Sequence, residues 1–246
     1  MAAKTYFITG ASRGLGLEFV TQLKRAGHIV IATARKPESS EGLQTLVDNK
    51  QVYSIALDTT DVKSVEAAVE KVNEIAPNGI DPATILITLR LKVLINNAGI
   101  ASDRSHTSLT TPPQALLDVF NTNVVGTVLV TQRFVPLLKK KTDRKIFTIS
   151  SILGSVGLTT YAGTIAPYNV SKAAVNMYIK ELSEDLKADK FTILAIHPGW
   201  VATDMGGASA PLKAPESISG MLKVFDQATA EDTGSFKDYS GKTLPW

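Results

Sequence analysis

Two side chains one helical turn apart are the first candidates for chemistry. Tyr168 and Lys172 stand in the run Tyr-Asn-Val-Ser-Lys, and a spacing of four places both on one face of a helix. A free tyrosine has a pKa of about 10, and a neighbouring ammonium group favours its phenolate. Tyr168 is therefore predicted to act as a general acid, or in reverse as a general base. Alone, the same spacing also occurs between unrelated surface residues.

A glycine-rich turn near the start of the sequence gives this pair a context. The run Thr-Gly-Ala-Ser-Arg-Gly-Leu-Gly, residues 9–16, follows an apolar strand and opens an amphipathic helix. Gly10 permits a tight turn, Gly14 lets the backbone approach a pyrophosphate, and Gly16 allows close packing of the helix. With the amide groups of the helix N-terminus, this arrangement predicts a dinucleotide-binding site.

The residues after the second apolar run indicate which dinucleotide binds. A fold that selects NAD usually places an acid about 20 residues after the glycines, where it holds the ribose 2′-hydroxyl and repels a 2′-phosphate. That position is Ala34, Arg35 is next to it, and Arg13 lies inside the glycine turn. Guanidinium groups pair with phosphate through charge-assisted hydrogen bonds. We therefore predict NADP(H), while solvated surface arginines are the alternative.

The elements that must position these residues alternate between short apolar runs and longer amphipathic stretches. The predicted strands are residues 5–9, 29–33, 52–57, 93–96, 145–150 and 192–197. A first helix follows the glycine turn, and further helices are predicted at residues 62–75, 113–138 and 166–187. This alternation predicts an α/β protein, a single-domain Rossmann fold whose doubly wound parallel sheet carries helices on both faces. The domain is expected to span residues 1–246.

Composition excludes several other classes of function. The 246 residues contain no cysteine, which excludes disulfides, thiol nucleophiles and zinc-thiolate sites. The net charge is +3 without a basic tract, so we expect no nucleic-acid partner. The three histidines are scattered, so no metal site is predicted. No run reaches the roughly 18 apolar residues of a membrane span, and the chain is expected to be cytoplasmic.

Further motifs, in a fixed order, give the sequence a resemblance to a known family. They are Asn-Asn-Ala-Gly at 96–99, Asn-Val-Val-Gly at 123–126, Ile-Ser-Ser at 149–151 and Pro-Gly-Trp-Val-Ala-Thr at 198–203. Together with the two motifs above, they resemble the short-chain dehydrogenase/reductase family in its single-domain form. The whole pattern is most similar to carbonyl reductases and to fungal ketoreductases of aromatic polyketides such as norsolorinic acid. Asp-Met-Gly-Gly at 204–207 and Leu-Pro-Trp at 244–246 are part of that similarity.

The resemblance implies NADPH-dependent reduction of a ketone or aldehyde and a role for four residues. Tyr168 would be the acid/base, and Lys172 would lower its pKa and hold the nicotinamide ribose. Ser151 would hydrogen-bond the substrate carbonyl, because hydroxyl groups stabilise the negative charge that develops there. Asn123 would anchor a water molecule in the proton relay.

The serine assignment has two alternatives. Ser150 is adjacent to Ser151 in the same motif, and Ser155 would shorten the 16-residue gap to Tyr168 towards the commonest spacing of the family. Ser155 lacks the Ile-Ser-Ser context after a strand, so Ser151 is preferred.

The resemblance also implies contacts with the cofactor. Asp58 and Asn97 would flank the adenine end, and Val201 and Thr203 would meet the nicotinamide. By analogy with relatives whose long helices pair across subunits, we also expect a homodimer or homotetramer. The full set of expected NADP(H) contacts is Gly10, Ser12, Arg13, Gly14, Leu15, Gly16, Arg35, Asp58, Asn97, Ala98, Gly99, Tyr168, Lys172, Val201 and Thr203.

Two segments stand apart from the motifs. Removing residues 82–92 would restore an unbroken Asp-Val-Leu-Ile-Asn-Asn-Ala-Gly, so we interpret them as an insertion that bulges at the N-terminal edge of the sheet. Residues 204–222 are rich in small residues and proline, and they are expected to form a substrate lid. An apolar lid wall would suit a small hydrophobic carbonyl substrate. Its candidate residues are Met205, Leu212, Met221 and Leu222.

Two other functions remain open from the sequence. A non-catalytic NADP-binding sensor or interaction module would keep the glycine turn, but the set of Ser151, Tyr168 and Lys172 argues against it. An epimerase or dehydratase also uses a tyrosine and a lysine, but the chain after Tyr168 is too short for the larger substrate domain of such enzymes.

Overall fold

Seven short strands form one parallel sheet in the computed structural model, which describes residues 3–75, 91–140, 143–158 and 165–246. Their order across the sheet is β3-β2-β1-β4-β5-β6-β7, so the chain winds outward from the centre first to one edge and then to the other. This is the predicted doubly wound arrangement. The strands are β1 (Thr5–Ile8), β2 (Ile29–Ala34), β3 (Val52–Ala56), β4 (Val93–Asn96), β5 (Lys145–Ile149), β6 (Thr192–His197) and β7 (Ser235–Asp238).

Helices cover both faces of the sheet, which explains why the strands are apolar without alternation. One face buries Phe19 and Phe225, and the other buries Phe134 and Ile179. Across the described ranges, no helix has both the length and the apolar character needed to cross a membrane. The helices are α1 (Gly14–Arg25), α2 (Glu41–Gln44), α3 (Val62–Glu74), α4 (Pro113–Phe120), α5 (Gly126–Lys139), α6 (Ala166–Asp185) and α7 (Ala214–Gln227).

The predicted helix 113–138 is interrupted. A π-helical turn, Asn121–Val125, separates α4 from α5, so this stretch is two helices joined by a wider turn. Sequence periodicity also did not predict α2, α7 or β7. The other predicted elements are confirmed to within two residues at each end, and β4 and β6 have the predicted bounds.

The two segments that stand apart from the motifs are only partly described. Residues 82–90 of the predicted insertion lie outside the described residues, whereas Leu91 is buried and Lys92 joins the sheet. The Lys92 backbone nitrogen donates to the Thr5 oxygen at 3.1 Å, and its oxygen accepts from Lys145 at 2.9 Å. The predicted lid, residues 204–222, is a loop up to Lys213 and then forms the first part of α7.

Candidate active site

The loops after β1, β4, β5 and β6 border a cleft of about 370 Å³ at the carboxyl edge of the sheet. β1 and β4 are neighbours whose connections lead away in opposite directions, which is where parallel sheets of this type bind ligands. Among the predicted residues, the cleft is lined by Gly10, Ser12, Arg13, Gly14, Leu15, Gly16, Arg35, Asp58, Asn97, Ala98, Gly99, Tyr168, Lys172 and Thr203. Three predicted residues, Asn123, Ser151 and Val201, do not line it, whereas Ser150 does. All three are buried, and Val201 pairs with Leu212.

Two glycines of the turn have no room for a side chain. Gly10 has a φ of +67°, and a Cβ atom there would lie 2.9 Å from the Ala98 Cα. A Cβ atom on Gly16 would lie 2.2 Å from the Gly10 carbonyl oxygen. These contacts bring the glycine turn against the loop after β4, and they leave the amide end of α1 facing the cleft.

Asn97 and Thr9 fasten these two loops together. The Asn97 Nδ2 donates to the carbonyl oxygens of Thr9 and Gly10, at 2.9 and 3.0 Å. The Thr9 hydroxyl accepts the backbone amides of Asn97 and Ala98, each at 2.9 Å. The Asn97 side chain is thus engaged in holding the glycine turn. Sequence reasoning missed this function of Thr9, although Thr9 is the first residue of the glycine motif.

The three candidate serines have different partners. The Ser151 hydroxyl shares a hydrogen bond with the Tyr168 side chain. Ser150 donates instead to the buried Asn176 Oδ1 at 2.5 Å, and Ser155 donates to a backbone carbonyl near the end of the chain at 2.7 Å. Ser151 is therefore the candidate serine that the structure brings to Tyr168.

Lys172 lines the cleft, although only 6% of the residue is exposed. Its Nζ donates to the Ile149 carbonyl oxygen at 2.7 Å and is 5.6 Å from the centre of the Tyr168 ring. A Cβ atom on Gly99 would lie 3.2 Å from the Asn123 Oδ1 and 3.8 Å from this Nζ, so Gly99 lies next to both side chains. Because burial disfavours an ammonium ion, the pKa of Lys172 falls to about 8.

The pKa of Tyr168 shifts in the direction opposite to the one expected from the sequence. Burial raises the pKa of the Tyr168 phenol to about 12, and the hydrogen bond with Ser151 offsets only part of that rise. Lys172 directs its amine to Ile149, so burial determines the direction of the shift. Near neutral pH, the phenol is protonated and able to donate.

Asn123 lies in the π turn and connects three segments. Its side chain accepts from the Ile100 amide at 2.8 Å and donates to the Ile100 carbonyl at 3.0 Å. Its Nδ2 also donates to the Ser171 hydroxyl of α6 at 2.9 Å. Asn123 is 1% exposed and thereby joins the loop after β4 to the helix that carries Tyr168. Its expected role in holding water stays a prediction.

Two arginines border the cleft on its nucleotide side. Arg35 and the Thr60 hydroxyl and amide together hold the pKa of Asp58 below its usual range, with the Thr60 hydrogen bonds contributing most. The Arg13 Nη1 lies 3.3 Å from an Asp204 carboxylate oxygen, and both side chains are more than three-quarters exposed, at 78% and 77%. The glycine turn and the predicted lid thus meet through this ion pair.

The expected apolar wall is mostly elsewhere. Met205 lines the cleft and is 42% exposed. Met221 is fully buried in the core beside α1, Leu212 packs beneath Gly199, and Leu222 packs against the same core as Met221. None of the three lines the cleft, so the prediction is wrong for them. Met221 is buried because α7 turns residues 214–227 into a helix with its own buried face, and Leu212 is buried because its backbone pairs with Val201.

A doubly wound sheet with a glycine turn and a linked Ser-Tyr-Lys group at its carboxyl edge is the arrangement of a nucleotide-binding α/β enzyme. The chain belongs to the short-chain dehydrogenase family, whose sequence profile matches residues 4–213. An uncharacterized oxidoreductase of Schizosaccharomyces pombe is 36% identical over 99% of this chain and 98% of its own length.

Solved structures of carbonyl reductases share this fold. The NADPH-bound carbonyl reductase from chicken fatty liver superposes with a TM-score of 0.88 and 33% identity. Carbonyl reductase Sniffer of D. melanogaster gives a TM-score of 0.89 and 30% identity. In both comparisons the match covers 100% of each chain.

Proposed function

We propose that this protein reduces a ketone or aldehyde carbonyl to an alcohol with NADPH. The observation that carries the proposal is the hydrogen bond between the Ser151 and Tyr168 side chains, together with the position of Tyr168 and the buried Lys172 in the lining of the dinucleotide cleft. The similarity to an NADPH-bound carbonyl reductase along the whole chain supports the same reaction class.

The protonation state of the site favours reduction. A carbonyl oxygen gains negative charge as hydride reaches its carbon, and two hydroxyl donors stabilise that charge. Since burial raises the pKa of Tyr168 to about 12, its phenol carries a proton that it can give to the oxygen. The Lys172 amine, with a pKa of about 8, is mostly charged at neutral pH and favours the phenolate that remains.

The cleft fits a dinucleotide with a 2′-phosphate. Gly10 and Gly16 bring the turn close to the loop after β4, and the end of β2 carries Ala34 where an acid would repel a phosphate. Arg13 and Arg35 supply the cations for that phosphate. When bound, NADPH would supply the hydride.

The substrate is proposed to be a hydrophobic carbonyl compound, such as an aromatic polyketide ketone. Met205 and Ile100 line the cleft and are 42% and 37% exposed, so they offer apolar contact area. The Ser151 and Tyr168 hydroxyls would orient the carbonyl group, whereas these side chains would contact the rest of the molecule.

The proposal is tested by following NADPH and NADH oxidation with a panel of aromatic and aliphatic ketones and aldehydes. We expect faster turnover with NADPH and loss of at least about 100-fold in kcat for Tyr168→Phe, within the usual contribution of acid catalysis. Tyr178→Phe, on the same helix but outside the cleft lining, is the matched control and should retain activity. NADPH binding without turnover of any carbonyl would instead favour the sensor function.

We also propose that the protein forms a homodimer or homotetramer through α4 and α6. Leu117, Val170 and Met177 lie on these helices and are 60%, 50% and 62% exposed, although all three are large and apolar. Light scattering after size exclusion should show more than one subunit, and Met177→Glu should shift the protein towards monomer. A monomeric wild type at micromolar concentration would contradict this proposal.

A further inference from the structure

The segment that follows β5 carries Ser151 but has little regular structure of its own. Ser151 caps a single short turn: its hydroxyl accepts the Leu153 amide at 3.2 Å, and its carbonyl accepts the Gly154 amide at 2.9 Å. The chain then runs in turns through Ser155 to Leu158. Since the segment 151–158 forms no strand or long helix, its position depends on what packs against it.

One side of this segment rests on the helix that carries Tyr168 and Lys172. A Cβ atom on Gly154 would lie 2.6 Å from the Lys172 carbonyl carbon, so the segment touches the helix backbone. The Asn176 Nδ2 donates to the Gly154 carbonyl at 3.3 Å. This contact sets how closely the segment approaches α6.

Pro245 and Trp246 hold the same segment from another direction. The buried Ser155 hydroxyl donates to the Pro245 carbonyl at 2.7 Å, and the Gly157 amide donates to the Trp246 carbonyl at 3.1 Å. These two bonds secure the segment at two points, four and six residues beyond Ser151.

Pro245 and Trp246 are themselves fastened to the sheet. The Trp246 ring stacks on Phe236 of β7, with ring centres 5.6 Å apart and planes inclined by 19°. The backbone amide of Leu244 donates to the Phe236 carbonyl at 2.8 Å, and the Leu244 side chain is buried. A fixed support therefore runs from β7 through Trp246 to the segment with Ser151.

We propose that Pro245 and Trp246 are positioning residues for Ser151. They hold the segment 151–158 against α6, so that the Ser151 hydroxyl stays within hydrogen-bonding distance of Tyr168. The inference rests on the proposed function, because it assigns Ser151 to the carbonyl oxygen. A displacement of about 1 Å at a reacting group can cost about 100-fold in rate.

Three substitutions test this support in the full chain. Trp246→Ala removes the stacking on Phe236, Ser155→Ala removes the hydrogen bond to Pro245, and Trp246→Phe is the conservative control that keeps an aromatic ring. We expect the first two to lower kcat for carbonyl reduction about tenfold, as the loss of one ordinary interaction would. The Kd for NADPH should stay within about twofold, and the control should stay near wild type.

A double-mutant cycle separates positioning from general stability. In a Ser151→Ala background, Trp246→Ala should cost little further activity, because the group that it positions is already absent. Equal losses in both backgrounds, or an unchanged kcat in Trp246→Ala, would overturn the inference while leaving the proposed function standing.

Hydrogen exchange gives a readout that does not depend on turnover. Amides of residues 151–158 should exchange faster in Trp246→Ala, whereas those of β1 and α1 should not change. Unchanged exchange in the segment would overturn the inference, whether or not the wild type reduces a carbonyl. A wild type that reduces no carbonyl would refute the proposed function, so the two failures are distinguishable.

Discussion

The buried amine of Lys172 should make the stability of this protein depend on pH in a way that one substitution removes. Lys172 is 6% exposed, and burial lowers its pKa from the ordinary value of 10.5 to about 8. Between these two values the unfolded chain binds a proton at Lys172 that the folded chain does not, so the contribution of Lys172 to wild-type stability rises with pH across this window. Each pH unit adds about 1.4 kcal/mol. Lys172→Met has no such group, and wild type should therefore gain about 3 kcal/mol relative to the variant between pH 8 and 10.5.

Urea unfolding of both proteins, followed by circular dichroism at pH 7, 8, 9 and 10, measures this difference. Lys172→Met also loses the hydrogen bond to Ile149. That loss shifts the free energy of unfolding of the variant by a constant amount, and it does not change how the free energies of the two proteins diverge with pH. Lys63→Met, at an exposed site of α3, shows the effect of losing a surface ammonium group. Stability curves of wild type and Lys172→Met that run parallel from pH 7 to 10 would refute the reasoning.

Three further predictions concern the cleft. Because Lys172 loses its charge as pH rises through about 8, kcat for reduction at saturating NADPH should fall above that pH, and a flat profile to pH 9.5 would contradict its role. Asp204→Asn frees Arg13, so NADPH affinity measured by fluorescence titration should rise by about twofold to fivefold, the limit for an exposed ion pair, while NADH affinity stays constant. Ser151→Ala should lower kcat about 100-fold with little change in Tm. Ser150→Ala should instead lower Tm, since it leaves the buried Asn176 oxygen without its partner. A loss of kcat in Ser150→Ala and a loss of Tm in Ser151→Ala would mean that Ser150 is the functional serine and Ser151 the structural one.

The fold could be predicted because the strands are buried on both faces and the glycine turn stands between a strand and a helix. Motifs far apart in the chain meet because parallel strands end at one edge. α7 was missed because Pro215, Ser217 and Gly220 are typical of a loop. Ser217 and Gly220 are explained by contacts with residues distant in the sequence. Ser217 donates to the Pro198 carbonyl at 2.5 Å, and a Cβ atom on Gly220 would lie 2.5 Å from the Tyr239 carbonyl oxygen.

The candidate site was predictable in its residues but not in its electrostatics. The spacing of Tyr168 and Lys172 shows that a cation is near a phenol, but it does not show how far either group is removed from water. Burial raises the pKa of the first and lowers that of the second, and both shifts oppose the expectation from charge alone. The choice among Ser150, Ser151 and Ser155 likewise depended on partners distant in sequence.

The π turn at residues 121–125 constrains how this protein can change its length. Such a turn holds one residue more than the α-helical turn it replaces. Loss of one codon here would convert the wide turn into an ordinary α-helical turn and leave α5 facing the sheet. Loss of one codon at residues 126–130, where the helix is already regular, would instead rotate the rest of α5 by roughly 100° about its axis. Phe134, whose ring centre lies 4.1 Å from that of Phe7, would leave the sheet, and Thr131 would lose its bond from Asn96. A one-residue deletion should therefore disturb the packing of α5 less in the π turn than at the start of α5.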